Sequence, residues 1–170
     1  MSDHTDIRSR TEEVIANIKY VYKTHYLMAE WYERIDRILS ILVAVGTGLL
    51  TASIIWEAST REILLTVALV VAILSWIDAV VSLGKKSEQH YTAADEYHDL
   101  YEDMKHFYNI DLENVDKRDQ LQNRYDELIS NRKAIKSSTP RTTNFWYDKL
   151  NHEEISKSIE QELENNRAAT

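Results

Sequence analysis

Residues 38–56 contain no charged side chain, and that gap limits what this chain can become more than any other feature. At 1.5 Å rise per residue it makes a helix of about 28 Å, close to the roughly 30 Å hydrocarbon core of a bilayer. Residues 63–77 are also uncharged, and with Asp78 as a single acid the apolar run reaches Leu83. A helix over 63–83 spans a bilayer with some tilt. The link between them, residues 57–62 (EASTRE), is short enough to make the two helices antiparallel neighbours. The expected fold is therefore an all-α membrane protein built on a two-helix transmembrane hairpin. Two buried helices of a soluble bundle are the alternative, but a buried helix rarely lacks charge over a whole span.

Composition hides this. Charged residues make up 28 % of the chain and hydrophobic residues 44 %, as in an ordinary soluble protein, because the strongly polar remainder pulls the average down. The sequence divides at the spans: 1–37 as an N-terminal helix, 38–83 as the hairpin (spans 38–56 and 63–83), and 84–170 as a second water-facing helical region. The polar start of the chain shows no apolar run with a cleavage site, so a secretory signal peptide is not expected. There is no cysteine, hence no disulfide and no thiolate ligand or nucleophile. The net charge of −8 argues against nucleic acid as a direct partner. Much of that deficit lies beyond the second span, where 13 basic residues face 18 acidic ones from Lys85 onward.

Orientation follows from basic residues at the span ends. Arg34 and Arg37 precede the first span and Lys85 and Lys86 follow the second, whereas the link holds only Arg61 between two acids. The positive-inside rule places both termini in the cytoplasm. Trp56 and Trp76 sit near span ends, where amphipathic rings favour the interface, and Trp31 and Tyr32 would join the cytoplasmic belt. Within the first span, Ala44, Gly48 and Ala52 recur at steps of four, a spacing that lets another helix approach closely. Thr47, Thr51 and Ser40 lie near the same side. They would either bond across a helix contact or line a pore, or each bond its own helix backbone. Asp78, an acid late in the second span, is either part of a water-exposed path or an interfacial residue.

Outside the spans the apolar pattern steps by three and four. Val14, Ile18, Val21, His25, Met28, Tyr32 and Ile35 lead into Leu39 and Leu42, and Ala94, Tyr97, Tyr101, Met104 and Tyr108 repeat the rhythm. Each span is expected to run on as one long helix, the two packing in an elongated, coiled-coil-like bundle. A third helix is expected from about Leu112 to Lys136, with Leu121, Tyr125, Leu128, Arg132 and Ile135 on its face and Lys117 and Arg118 inside it. Residues 137–140 (SSTP) end it, because the residue before proline avoids helix geometry. A last helix is expected from Thr142 or Thr143, carrying Phe145, Trp146, Leu150, Ile155, Ile159 and Leu163, with a frayed tail at 165–170. The ten tyrosines suit a moderately polar helix interface.

No phosphate-binding glycine loop, nucleophile elbow or metalloprotease motif is present. His98, Glu102 and His106 stand at steps of four, but the two histidines are about 12 Å apart along a helix, too far to share one ion. No catalytic residue, cofactor site or metal site is expected, and the chain is not expected to be an enzyme.

One stretch carries a likeness to a known family: Trp76 late in the second span, then residues 90–100 (HYTAADEYHDL). The helix holding Arg132, ended by Pro140 and followed by an aromatic-bearing segment with Tyr147, fits as well. Over nearly its whole length the chain resembles a SLATT domain, the two-membrane-helix effector module found beside SMODS-type nucleotidyltransferases and SLOG nucleotide sensors. The resemblance implies an antiviral-defence effector that forms a homo-oligomeric pore in the inner membrane and causes abortive infection. It implies a trigger from a separate partner, a nucleotide-signalling enzyme or a reverse transcriptase encoded nearby, and no catalytic residues. The residues alone also allow a membrane-anchored helical scaffold or sensor that recruits a cytoplasmic partner.

Overall fold

The computed structural model describes residues 2–55, 60–113 and 118–168, so Trp56, the link residues 57–59 and Lys117 lie outside the described residues. All regular structure among the described residues is helical. The elements are α1 (Ser2–Ile55), α2 (Arg61–Val81), α3 (Leu83–Asn109), a 3-10 turn at Asp111–Glu113, α4 (Arg118–Ser138), α5 (Asn144–Tyr147) and α6 (His152–Ala168). The chain falls into two compact units. One is Met1–Met28 with Gln89–Thr170; the other is Ala29–Glu88. The hairpin unit thus takes in about two helical turns before residue 38 and the start of α3 after residue 83.

In the hairpin unit, α1 runs unbroken through the first apolar stretch to Ile55. Arg61 and Glu62, expected in the link, instead form the first turn of α2 behind an extended Thr60. Glu62 there opposes the positive end of the helix dipole. The second span does not continue as one uninterrupted helix. α2 stops at Val81, and Ser82 adopts the left-handed conformation (φ 49°, ψ 55°), the one non-glycine residue at positive φ among the described residues. Such a residue costs on the order of 1 kcal/mol. Backbone bonds bridge the break: the Ser82 N–H donates to Asp78 O and the Lys86 N–H to Ser82 O, both at 3.1 Å.

Asp36 on α1 compensates for the break. Restarting a helix at Leu83 exposes unpaired first-turn N–H groups, and the Asp36 carboxylate accepts the Gly84 N–H at 2.9 Å. A Cβ at position 84 would stand 3.3 Å from Asp36 Oδ2, so glycine leaves room for this cap. Nearby, the Ser87 hydroxyl donates to Ala29 O at 2.9 Å, tying the two strands of the hairpin base.

The other unit has a conventional interior. The expected α3 stripe is buried at Ala94, Tyr97, Tyr101, Met104 and Tyr108, joined by Leu100 and Phe107. The facing stripe of α1 is wider than a strict three-four pattern. Ile18, His25 and Met28 are buried as expected, but Thr11, Ile15, Lys19 and Tyr22 are buried with them, while Val14 and Val21 are only half-buried. From α4, Leu121 and Leu128 enter the core, with Tyr125 and Ile135 packed against it. α4 ends at Ser138, before Pro140.

The expected last helix is two elements. Asn151 starts α6 afresh: its carbonyl oxygen Oδ1 accepts the Glu154 N–H at 3.2 Å, while its Nδ2 donates to the Glu154 carboxylate at 3.1 Å. Asn followed three residues later by Glu is the sequence signature of a helix start, and here the Asn151 side chain supplies the N-cap bond. Ile155, Ile159 and Leu163 then bury as expected, but Phe145 is left exposed. α6 extends to Ala168, past the point where the tail was expected to begin.

Candidate functional site: the apolar hairpin

The hairpin's apolar side chains point outward. In the most apolar eighteen-residue window of the first long helix 6 % of residues are buried, and in that of the second none are. Ile41, Val45, Leu49, Ile55, Leu65 and Leu69 each expose at least half of their surface, and Trp76 exposes 67 %. A soluble protein's core helix would be mostly covered. Large contiguous apolar surface of this kind is a mark of membrane or protein contact in soluble and membrane proteins alike.

Four hydroxyls within the belt are satisfied by their own helix, which is what a hydrocarbon solvent would require of them. The Thr47 hydroxyl donates to Val43 O at 2.8 Å and the Thr51 hydroxyl to Thr47 O at 2.9 Å. On α2, Thr66 and Ser75 do the same to Glu62 O and Val71 O, each at 2.9 Å. Of the two sequence-based readings of Thr47 and Thr51, the structure contains the backbone bond. Both side chains remain exposed, so a water path along them is compatible with it.

The small residues divide by role. Gly46 is where the two apolar helices meet: a Cβ there would stand 2.6 Å from Val71 Cγ2, so the absent side chain sets their approach. A Cβ at Gly48 meets nothing within 4 Å. Ala44 is exposed and Ala52 half-buried. The face carrying Ala44, Gly48 and Ala52 is thus not occupied at Gly48 by this chain's own second helix. Sequence reasoning passed over Gly46 because its partner is a valine on the other helix, which spacing within α1 alone cannot reveal. Asp78 is half-buried in the last turn of α2, and its backbone carbonyl holds the Ser82 N–H.

The second unit holds a polar cluster that no motif announced. Lys19 is 3 % exposed, and its ammonium donates to Glu162 Oε1 and Ser158 Oγ at 2.6 Å and to Tyr101 Oη at 3.3 Å. Tyr101 donates in turn to the Glu162 carboxylate. Burial first, then this carboxylate, raises the Tyr101 hydroxyl far above the ordinary phenol value. Glu162 is lowered by the bonds from Lys19 and Tyr101, which outweigh its partial burial. His25 and His90 face each other with Nδ1 atoms 2.9 Å apart, so one donates and the other accepts. Burial and then the proximity of His90 lower His25 to about 4, and burial lowers His90. No group of three His, Cys, Asp or Glu side chains suited to a metal ion occurs among the described residues, and His98 packs its ring against Tyr22 and Tyr101. The Lys19 cluster ties α1, α3 and α6 together.

Neither a curated protein nor a solved structure matches the chain. A family model does: that of the SMODS and SLOG-associating 2TM effector domain family 4 matches residues 7–163, from the first turns of α1 to the buried face of α6. The two outward-facing apolar helices agree in number with the 2TM of that description, and the chain belongs to this SLATT family.

Proposed function

We propose that this protein is a pore-forming effector of a prokaryotic anti-phage system. It lies in the inner membrane with both termini in the cytoplasm, oligomerises, and permeabilises the membrane so that the infected cell stops before releasing phage. The observation that carries the proposal is the hairpin. Its apolar helices are uncovered by the rest of the chain, and membership in a two-transmembrane effector family gives that surface a purpose. One hairpin cannot enclose a conduit, so conduction needs several copies. The face bearing Ala44, Gly48 and Ala52 would form the contact between copies, since close approach of small residues is how helices associate where lipid offers no hydrophobic drive. Thr47, Thr51 and Asp78 would lie along the water path. The protein acts without catalysis or cofactor. Its trigger is a separate partner, a nucleotide-signalling enzyme or reverse transcriptase encoded nearby.

The test is membrane potential and growth in bacteria expressing the chain with and without its genomic neighbour. Partner-dependent depolarisation that fails in Gly48→Leu is the expected result. Normal potential under every condition, with the protein stably in the membrane, would replace the pore with a membrane-anchored scaffold that recruits a cytoplasmic partner.

A further inference from the structure

The water-facing unit, Met1–Met28 with Gln89–Thr170, contains a cavity of about 460 Å³ that nothing above uses. It lies among α1, α3, α4 and the segment after α4, and its volume falls within the range of small-molecule sites. The charges on its walls are of one sign. Arg132, Lys136 and Arg141 line it, and no Asp or Glu does, in a chain of net charge −8. Some cations elsewhere pair with near neighbours, as Arg124 does with Glu127 and Lys157 with Glu153. None of the three cavity cations has an ion-pair partner among the described residues. Arg132 and Lys136 even stand four apart on α4, a like-charge spacing that weakens a helix unless an anion offsets it.

The Arg132 guanidinium is also oriented in advance. Its Nη2 donates to Asn17 Oδ1 at 2.6 Å, which fixes the plane and leaves further N–H donors. Thr139 and Thr142 add hydroxyls to the same wall, and Val21 and Pro140 give it an apolar side. A planar guanidinium with a mobile ammonium beside it matches the oxygens of a phosphate. His25 in the lining is neutral, held by burial and by His90, so the fixed positive charge comes from the three cations.

We propose that this cavity binds a small phosphorylated organic anion, with phosphate oxygens on Arg132, Lys136 and Arg141 and the organic part against Val21 and Pro140. A free phosphometabolite and a phospholipid headgroup both carry that chemistry. The site stands whether or not the hairpin conducts, because it lies wholly within the water-facing unit.

The experiment is binding of ATP, AMP and inorganic phosphate to the full chain in phosphatidylcholine nanodiscs, repeated with phosphatidic acid in the discs and no soluble ligand. The variant is Lys136→Glu/Arg141→Glu, two exposed side chains without partners, with its melting temperature measured alongside. Saturable ATP binding that is tighter than inorganic phosphate, weakens with salt, and falls about a hundredfold in the variant supports a free ligand. Retention of phosphatidic acid alone, lost in a variant that still melts normally, supports the same pocket with a lipid source. No binding of any probe, inorganic phosphate binding as tightly as ATP, or affinity unchanged by the double reversal overturns the proposal. If the variant melts early, Lys136→Gln/Arg141→Gln replaces it, and unchanged affinity there overturns the proposal equally.

Discussion

α2 buries none of its twenty-one residues, whereas α3, which follows it, buries tyrosines, a phenylalanine and a histidine along most of its length. The two units handle polarity in opposite ways. In the hairpin the polar bonds between helices lie at the base, from Gly84 to Asp36 and from Ser87 to Ala29, and in the apolar stretches Thr47, Thr51, Thr66 and Ser75 return their hydroxyls to their own helix. In the water-facing unit Thr11 and Thr24 do this too, but the groups that matter reach across. Lys19 on α1 reaches Glu162 on α6, Tyr108 on α3 donates to Glu12 on α1, and Arg132 on α4 reaches Asn17 on α1. No buried side-chain polar atom among the described residues lacks a partner. A helix that satisfies itself can sit in hydrocarbon and choose its neighbours by shape. A helix that depends on its neighbours for polar partners is fixed in one arrangement.

The largest effect that would sharpen this contrast is at Lys19. Glu162→Leu leaves a nearly fully buried ammonium without its carboxylate and should destabilise the water-facing unit by about 3 kcal/mol, read by chemical denaturation followed through near-UV circular dichroism. Adding Lys19→Met should recover most of that loss, because removing both charges of a buried pair is far cheaper than removing one. If Glu162→Leu alone is neutral, the cross-helix network does not hold this unit together.

Acid should separate the two units next. His25 is lowered to about 4 from an ordinary 6.5, so the unfolded chain binds more protons than the folded one between those values. Stability from His25 is therefore complete above about pH 6.5 and is lost as pH falls toward 4, by about 3 kcal/mol in all. The lowered His90 acts in the same direction, and the lowered Glu162 adds to the loss below its ordinary value of 4.5. The hairpin unit contains no histidine. Resistance of the water-facing unit to denaturation should weaken from pH 7 to pH 4.5 while helix content of the hairpin in detergent holds. Equal loss in both, or none in either, would break the comparison.

A smaller effect tests how the hairpin is held by shape. Gly46→Ala places a methyl 2.6 Å from Val71 Cγ2, and a β-branched neighbour cannot swing aside. The cost should be about 1–3 kcal/mol, seen as a lower melting temperature in detergent and restored in part by Val71→Ala. Gly48→Ala should leave that melting temperature unchanged. Equal sensitivity at 46 and 48 would mean that the helices are not brought together at Gly46.

What could be read from the sequence follows the same division. The two uncharged stretches reported the hairpin directly, because span length and lack of charge are properties of one segment. The α3 stripe from Ala94 to Tyr108 was legible for the same reason, since each tyrosine at a core step carries its own apolar area. Lys19 was not, because lysine reads as solvated until Ser158 and Glu162 are brought to it from the far end of the chain. The break at Ser82 was hidden because the carboxylate that caps the restarted helix at Gly84 is that of Asp36, forty-eight residues away. The split between α5 and α6 was open to reading, because an N-cap asparagine with glutamate three residues on, Asn151 and Glu154, marks a fresh helix start by local sequence alone.

The smallest expected effect asks most about function. Thr47→Val and Thr51→Val each remove a hydroxyl that bonds only its own helix, and the exposed carbonyl left behind has lost a second acceptor bond, not its helical one. Each should change hairpin stability by less than about 1 kcal/mol, near the weak end of intramembrane hydrogen bonds. A role in conduction must then show where stability does not. If these side chains line a water path between copies, replacing a hydroxyl with a methyl dries that wall, and single-channel or vesicle-flux currents should drop while assembly and melting temperature stay constant. Asp78→Asn should then change cation preference at unchanged assembly. Unchanged currents in all three variants would leave the hydroxyls as ordinary helix bonds and move any conduit to another face of the hairpin.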